Sequence, residues 1–357
     1  MTEEIKKLIA AAIEAPSGEN CQPWRFKIVS DLELELHNDA TADNSLYNQG
    51  QRGSFVAHGA AIENLVIAAR HLGLEATIEL FPNSNQPNFV AKIKLTKTTP
   101  KEEPLVNYLE ARTTNRKPYK RLPLAREEFE ALTRVGELGE GGVKLVLTED
   151  KEKIKILAAA GSGNERVMFN NQFLHQFFFS HINWTKEEDE AKRVGFYLKT
   201  LELPPPAKLL FPIFRRWPMM SWLNRKLGFY KQIAKQNAAM YATAPVFGII
   251  TAPDTSPRSA VLVGRLFQRF WLTATKLGLA LQPLTGVLFF TRGIESGETS
   301  RFSPDQLASI KHDYAAIKNT FNVGQEPVFV MFRLGHAPPP SARATRHQIE
   351  KFILPRA

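Results

Sequence analysis

Apolar residues recur at helical spacing through residues 3–14, where Ile5, Leu8, Ile9, Ala12 and Ile13 fall on one face. Past a turn-forming run at 15–24, apolar and polar positions alternate with a period of two over 25–30 and 33–37, the mark of strands with one buried face. The same reading predicts a helix over 54–72, strands over 74–80 and 89–96, a helix over 126–135 and a strand over 142–148. Helices follow through 151–200, then a strand over 245–251, a helix over 257–277 and a strand over 327–335. A further strand of large residues in LALQPLTGVLFF (279–290) is interrupted by Pro283, Leu284, Thr285 and Gly286. Helices interleaved with short β-branched runs give an α+β chain. Proline-rich turns at 204–206 and 338–340 mark an insertion boundary and the start of the tail.

The pattern repeats. NLVIAARHLGLEATI (64–78) aligns with RFWLTATKLGLALQP (269–283), placing Gly73 over Gly278, each where a helix ends and extended chain resumes. Residues 8–31 align with 129–150, both reading helix, loop, strand, acidic turn. The two offsets, 205 and 119, leave roughly 86 additional residues between the matched elements of the second copy. The loops differ in kind. APSGENCQPW (15–24) lies over RVGELGEGGV, so that Ser17, Asn20 and Trp24 meet Gly136, Gly139 and Val143. A first copy that keeps polar groups its counterpart lacks points to a ligand held by the first.

With 357 residues, 43% of them hydrophobic, the chain can bury a substantial core. The acidic, amphipathic start is no signal peptide, no apolar run is long enough to span a bilayer, and Cys21 is the single cysteine, so the expectation is a cytoplasmic protein without disulfides. Of the net charge of +10, seven come from Lys208, Arg215, Arg216, Arg225, Lys226, Lys231 and Lys235, in a stretch with no acid between Glu202 and Asp254. Aromatics interleave with these cations over 208–232, and Pro212 and Pro218 break any long helix. The segment reads as an active-site lid, as a membrane-surface contact, or, last, as a nucleic-acid surface.

Candidate chemistry sits in four runs. In ARTTNRKPY (111–119), Arg112, Thr114 and Arg116 alternate, which on extended chain sends two guanidinium forks and a hydroxyl toward one object, a phosphate being the natural one; the plain alternative is a solvated loop. APSGENCQPW supplies Pro16, Ser17, Asn20 and Gln22, with Pro23 and Trp24 as pocket wall and Cys21 as a bystander. In 283–286, Gly286 lets backbone amides approach a flat ring, or the run is an ordinary turn. In the tail, Arg343 and Arg346 follow the polyproline turn and reach back to an anion or face water. The eight histidines show no metal-ligand spacing, and GSGNE (161–165) is only a turn or the start of a helix.

In their joint order these runs resemble the FMN-dependent nitroreductase family, particularly long fused members with two nitroreductase-like halves in one chain. Pro16, Ser17, Asn20, Gln22, Pro23 and Trp24 are similar to its Pro-Ser-x-x-Asn-x-Gln-Pro-Trp run, Arg112, Thr114 and Arg116 to its Arg-x-Ser/Thr-x-Arg/Lys run, Pro283 to Gly286 to its Pro-Ile-Glu-Gly run, and Arg346 or Arg343 to its C-terminal phosphate-binding cation. The resemblance implies a first half over 1–105 and a second over 106–357, carrying an insertion at about 155–242. It implies a monomeric pseudo-dimer with one FMN per chain, Asn20 and Arg112 touching opposite ends of it. No side chain is then catalytic, because flavin N5 carries the chemistry and the Thr285 and Gly286 amides tune it. The implied activity is ping-pong electron transfer to flat acceptors such as nitroaromatics or quinones. Thr285 stands where the family has glutamate on the nicotinamide side, which leaves NAD(P)H as donor open; the alternative is an FMN-sequestering protein without turnover.

Overall fold

A computed structural model describes residues 2–43 and 46–355. The first segment runs α1 (Glu3–Ile13), β1 (Trp24–Ser30), β2 (Glu33–Asn38), α2 (Arg52–His71), β3 (Leu74–Leu80) and β4 (Phe89–Lys97). Thr2 caps α1 by accepting from the Ile5 amide, and Ile5, Leu8, Ile9, Ala12 and Ile13 form its buried face. After α3 (Arg126–Gly136) and β5 (Lys144–Thr148), the chain builds a helical stretch: α4 (Lys151–Gly161), α5 (Gly163–Met168), α6 (Gln172–Ser180), the two-residue β6 (Ile182–Asn183), α7 (Lys186–Lys192), the two-residue β7 (Phe196–Tyr197), α8 (Pro205–Phe214), α9 (Trp217–Leu227) and α10 (Phe229–Tyr241). It closes with β8 (Val246–Thr251), α11 (Pro257–Lys276), β9 (Ala280–Pro283), α12 (Gly286–Glu295), α13 (Pro304–Thr320) and β10 (Val328–Gly335). The molecule is α+β.

Among the described residues there are two antiparallel four-stranded sheets, ordered β1-β2-β4-β3 and β5-β8-β10-β9. Taken in chain order within each sheet, both run first, second, fourth, third. β1 and β2 alternate buried with more open positions, whereas every residue of β8 and β10 is buried, the pattern of central strands covered on both faces.

Between the sheets α2 packs on α11. A Cβ at Gly59 would stand 2.0 Å from the Val261 carbonyl oxygen, and one at Gly264 would stand 2.0 Å from that of Val56. Both members of this reciprocal contact are related by 205 positions, the offset that aligns 64–78 with 269–283. Gly73 (φ +74°) and Gly278 (φ +72°) end the two helices in the left-handed conformation that glycine adopts most readily. The buried Glu63 of α2 pairs with Arg265 and Arg269 of α11 at 3.2 and 2.5 Å. One apolar core, including Ile5, Phe26, Ile93, Phe270 and Phe332, draws on both sheets.

Two chain crossings bind the assembly. Thr114 bridges to Leu281 beside the second sheet, and Ile353 bridges to Phe26 on the first. The segment after Gly286 departs from expectation: it is the helix α12, not a resumed strand, because Val287, Leu288, Phe290 and Thr291 face inward at helical spacing. Trp24 also departs. Strand alternation turns its ring into the core against Phe352, wholly buried, instead of into a pocket wall.

Candidate functional site

The stretch from Ser17 to Pro23 is a knot of backbone. Glu19, Asn20 and Gln22 hold positive φ of 49°, 57° and 52°, each a conformation costing a non-glycine residue on the order of 1–3 kcal/mol. Their surroundings fix them. The Gln22 amide donates to Ser17 Oγ at 3.0 Å, and Asn20 Nδ2 donates to the carbonyls of Arg193 (3.0 Å) and Thr345 (2.8 Å). Gln22 Nε2 donates to the Arg193 carbonyl at 2.7 Å, and its Oε1 accepts from the His347 amide at 3.0 Å. The side chains of Asn20 and Gln22 are therefore consumed in joining this loop to the end of α7 and to the tail. Burial pushes the Cys21 thiol well above its ordinary range, which keeps it protonated and inert.

Three arginines gather behind the same turn. Arg112 Nη2 donates to the Glu14 carbonyl at 3.0 Å while its guanidinium lies 4.6 Å from the Trp271 ring centre. Arg343 binds the Glu14 carboxylate and the Glu110 carbonyl; Arg346 binds Asn20 Oδ1 and, at 2.8 Å, the Ala15 carbonyl. Burial, then the charges of Arg346 and Arg343, hold Arg112 well below the usual guanidinium range, and burial brings Arg346 down to about 10. The Nε–H groups of Arg112 and Arg346 are buried without a partner. The cluster thus holds three guanidiniums beside the Glu14 carboxylate, with donors to spare.

Pro16 and Ser17 open on the other side onto a cavity of about 740 Å³, walled also by Thr114, Arg116, Pro283, Leu284, Thr285 and Gly286. Three separated runs thus meet in one space. Asn20, Gln22, Arg112, Arg343 and Arg346 do not line it; Arg112 lies behind Trp271, which does. Nor do Arg112, Thr114 and Arg116 aim at a single object: Arg116 Nη1 donates to the Thr200 carbonyl at 3.0 Å, with its guanidinium 5.6 Å from the Phe196 ring centre. The bridge from Thr114 to Leu281 is one point of pairing and not an extended strand, so no alternation aligns the three side chains. The expected contact of Asn20 and Arg112 with opposite ends of one molecule gives way to two residues tied into one knot, bonded to Arg346 and to the Glu14 carbonyl.

The cavity contains polar groups that the sequence did not disclose. Glu165, in the run read as a mere turn or helix start, accepts from Tyr241 Oη at 3.2 Å and from Asn164 Nδ2 at 3.3 Å, while its Oε2 is buried without a partner. Burial raises this carboxyl to about 7. Glu19 rises to about 8 through burial and the neighbouring Asp43, with His181 at 3.6 Å. Arg52, lowered to about 10 chiefly by burial, has an unpartnered Nη1 and lies 5.0 Å from the Phe329 ring centre. At Gly286 a Cβ would stand 2.2 Å from Asn164 Oδ1, so this glycine makes room for a side chain of the protein itself. The one available signal for Glu165 was an acid in a small-residue run ahead of an apolar helix; nothing marked Arg52. Phe177, Phe178, Phe211, Phe214 and Phe229 complete the wall from the 155–242 segment. The described residues contain no cluster of metal-ligating side chains.

No family model matches this chain. It is 26% identical over 355 residues to an uncharacterized protein of Mycobacterium tuberculosis, an alignment covering 98% of this chain and 48% of that protein. Over 94 residues it is 35% identical to a protein of the same organism named "Putative NAD(P)H nitroreductase", covering 26% and 28% of the two chains. It thus spans about half, or less, of the length of these relatives. Among solved structures, an FMN-dependent nitroreductase of Mycobacterium smegmatis in complex with NADPH superposes with a TM-score of 0.39 at 12% identity, covering 69% of this chain and 96% of that one. The chain is similar in sequence to mycobacterial proteins, some of which bear nitroreductase names.

Proposed function

We propose that this chain is an FMN-binding oxidoreductase of nitroreductase type. One observation carries the reading: Pro16–Ser17, Thr114 with Arg116, and Pro283–Gly286, remote in sequence, wall a single aromatic-lined cavity. Its volume lies within the range of small-molecule and cofactor sites. The donor chemistry fits the cofactor at both ends. Aromatic walls suit the ring system, and Arg116, which lines the cavity beside Thr114, suits a dianionic phosphate. Thr114 and Arg116 would hold the phosphate, Pro16 and Ser17 the remainder, and the N-terminus of α12 at Thr285 and Gly286 would place positive potential beside the ring. When bound, FMN supplies two-electron exchange between a donor and an acceptor. The chain orients the ring, excludes water through its aromatic wall, and holds a proton on Glu165 and on Glu19 near neutral pH.

The reading extends to architecture. Two sheets of the same strand order and the reciprocal Gly59 and Gly264 contact support two nitroreductase-like halves, 1–105 and 106–357, acting as a monomeric pseudo-dimer with one FMN per chain. Flat acceptors, nitroaromatics or quinones, match the cavity wall. The alternative is sequestration without turnover, which Thr285 in place of the family's glutamate and the walling of the cavity by α6, α8 and α10 support. Anaerobic mixing of the FMN-loaded protein with NADH and with NADPH separates the two. An oxidoreductase bleaches with one of them and recovers its colour on adding a nitroaromatic or quinone; a storage protein stays oxidised with both.

A further inference from the structure

α8 presents two unlike faces. Ala207, Phe211 and Phe214, at helical spacing, line the cavity. On the outside Leu209, Leu210 and Ile213 are 80%, 47% and 45% exposed, and α9, in contact with α8, adds Met219, Trp222 and Leu227. Six large apolar side chains thus stand in the open between residues 209 and 227, where folded surfaces ordinarily scatter them singly. Among and beside them, Lys208, Arg215, Arg216, Arg225 and Lys226, with Lys231 and Lys235 of α10, are all exposed, and no acid interrupts the stretch.

We propose that the outer face of α8 and α9 seats on an anionic phospholipid bilayer, with Leu209, Leu210, Ile213 and Trp222 entering the headgroup boundary and the seven cations facing lipid phosphates. Apolar side chains on one helical face, a basic surround and a tryptophan form the composition that holds a helix in the plane of a membrane interface. A second copy of the chain would set seven cations against seven. A nucleic acid would answer the charge but not the exposed aliphatic side chains, which offer bases no stacking plane. Because the opposite face of α8 walls the cavity, this seating presents the cavity to bilayer-dissolved, flat acceptors; that consequence rests on the flavin reading, whereas the seating does not.

The test is flotation of the full chain with vesicles of phosphatidylcholine, with and without phosphatidylglycerol, alongside a single-stranded RNA binding assay. Binding to the anionic vesicles alone is expected. Because each cation near an anionic leaflet is worth roughly fivefold in affinity, Arg225→Gln with Lys226→Gln should weaken it by about twenty-fivefold. Leu209→Glu with Ile213→Glu, at exposed positions, should abolish flotation while the circular dichroism spectrum and FMN uptake stay unchanged. Absence of flotation, flotation unaffected by the Leu209→Glu, Ile213→Glu variant, or RNA binding in place of vesicle binding overturns the proposal. A chain that takes up FMN but does not float loses the surface alone; one that floats without taking up FMN loses only the flavin reading.

Discussion

Glu165 concentrates the residue-scale chemistry, because one of its oxygens is bonded to Tyr241 and Asn164 and the other has no partner. Its carboxyl titrates at about 7 in the folded chain against an ordinary 4.5, so folding takes up a proton between those values. Stability from this group is therefore greatest at and below pH 4.5 and falls as pH rises to 7, by up to about 1.4 kcal/mol per unit, then levels off. Urea unfolding of wild type and Glu165→Gln across that window should show the difference between them changing with this slope; a constant difference contradicts the assignment. The arginines make a second prediction at this scale. Arg116→Ala removes the guanidinium that lines the cavity beside Thr114. With charge-assisted contacts worth about 1.5–3 kcal/mol, FMN should bind some ten- to hundredfold more weakly, measured by fluorescence titration. The side chains of the loop were only partly legible. Composition names Asn20 and Gln22 as polar, but their direction follows from left-handed backbone at three of four consecutive positions, which residue types do not dictate.

Most helices and strands lie where apolar periodicity places them, since a buried face imposes its spacing on the sequence whatever lies beyond it. α12 escaped because proline, threonine and glycine followed by Val287, Leu288, Phe289 and Phe290 has the composition of a strand, and burial by neighbouring elements decided the outcome. α2 and α11 carry the sharpest prediction at this scale. Gly59→Ala or Gly264→Ala forces a methyl to within 2.0 Å of a backbone carbonyl oxygen that cannot rotate aside. Alanine adds about 1 kcal/mol of helix propensity, yet overpacking against rigid backbone, at about 3 kcal/mol, should outweigh it, for a net loss of about 2 kcal/mol. The urea midpoint should drop in both variants by similar amounts, with little change in slope; an unchanged midpoint would mean that the two helices do not meet as described.

At the scale of the whole molecule, the chain brings distant segments to one wall: the turn after α1, the crossing at Thr114, the junction of β9 with α12, and the helices of 155–242. The aligned segments 64–78 and 269–283 each fold as the end of a helix and the strand after it, while the tie between the loop at 17–22, the end of α7 and the tail could be learned only from the assembled chain. The proposed flavin places its ring system against the aromatic wall and its phosphate at Thr114 and Arg116. Titration of the ligand-free protein with FMN and with riboflavin, which lacks only the phosphate, tests both at once. The prediction is one FMN per chain, bound at least about tenfold more tightly than riboflavin, with Arg116→Ala narrowing that gap. Equal affinity for the two ligands, or uptake of neither, would contradict it.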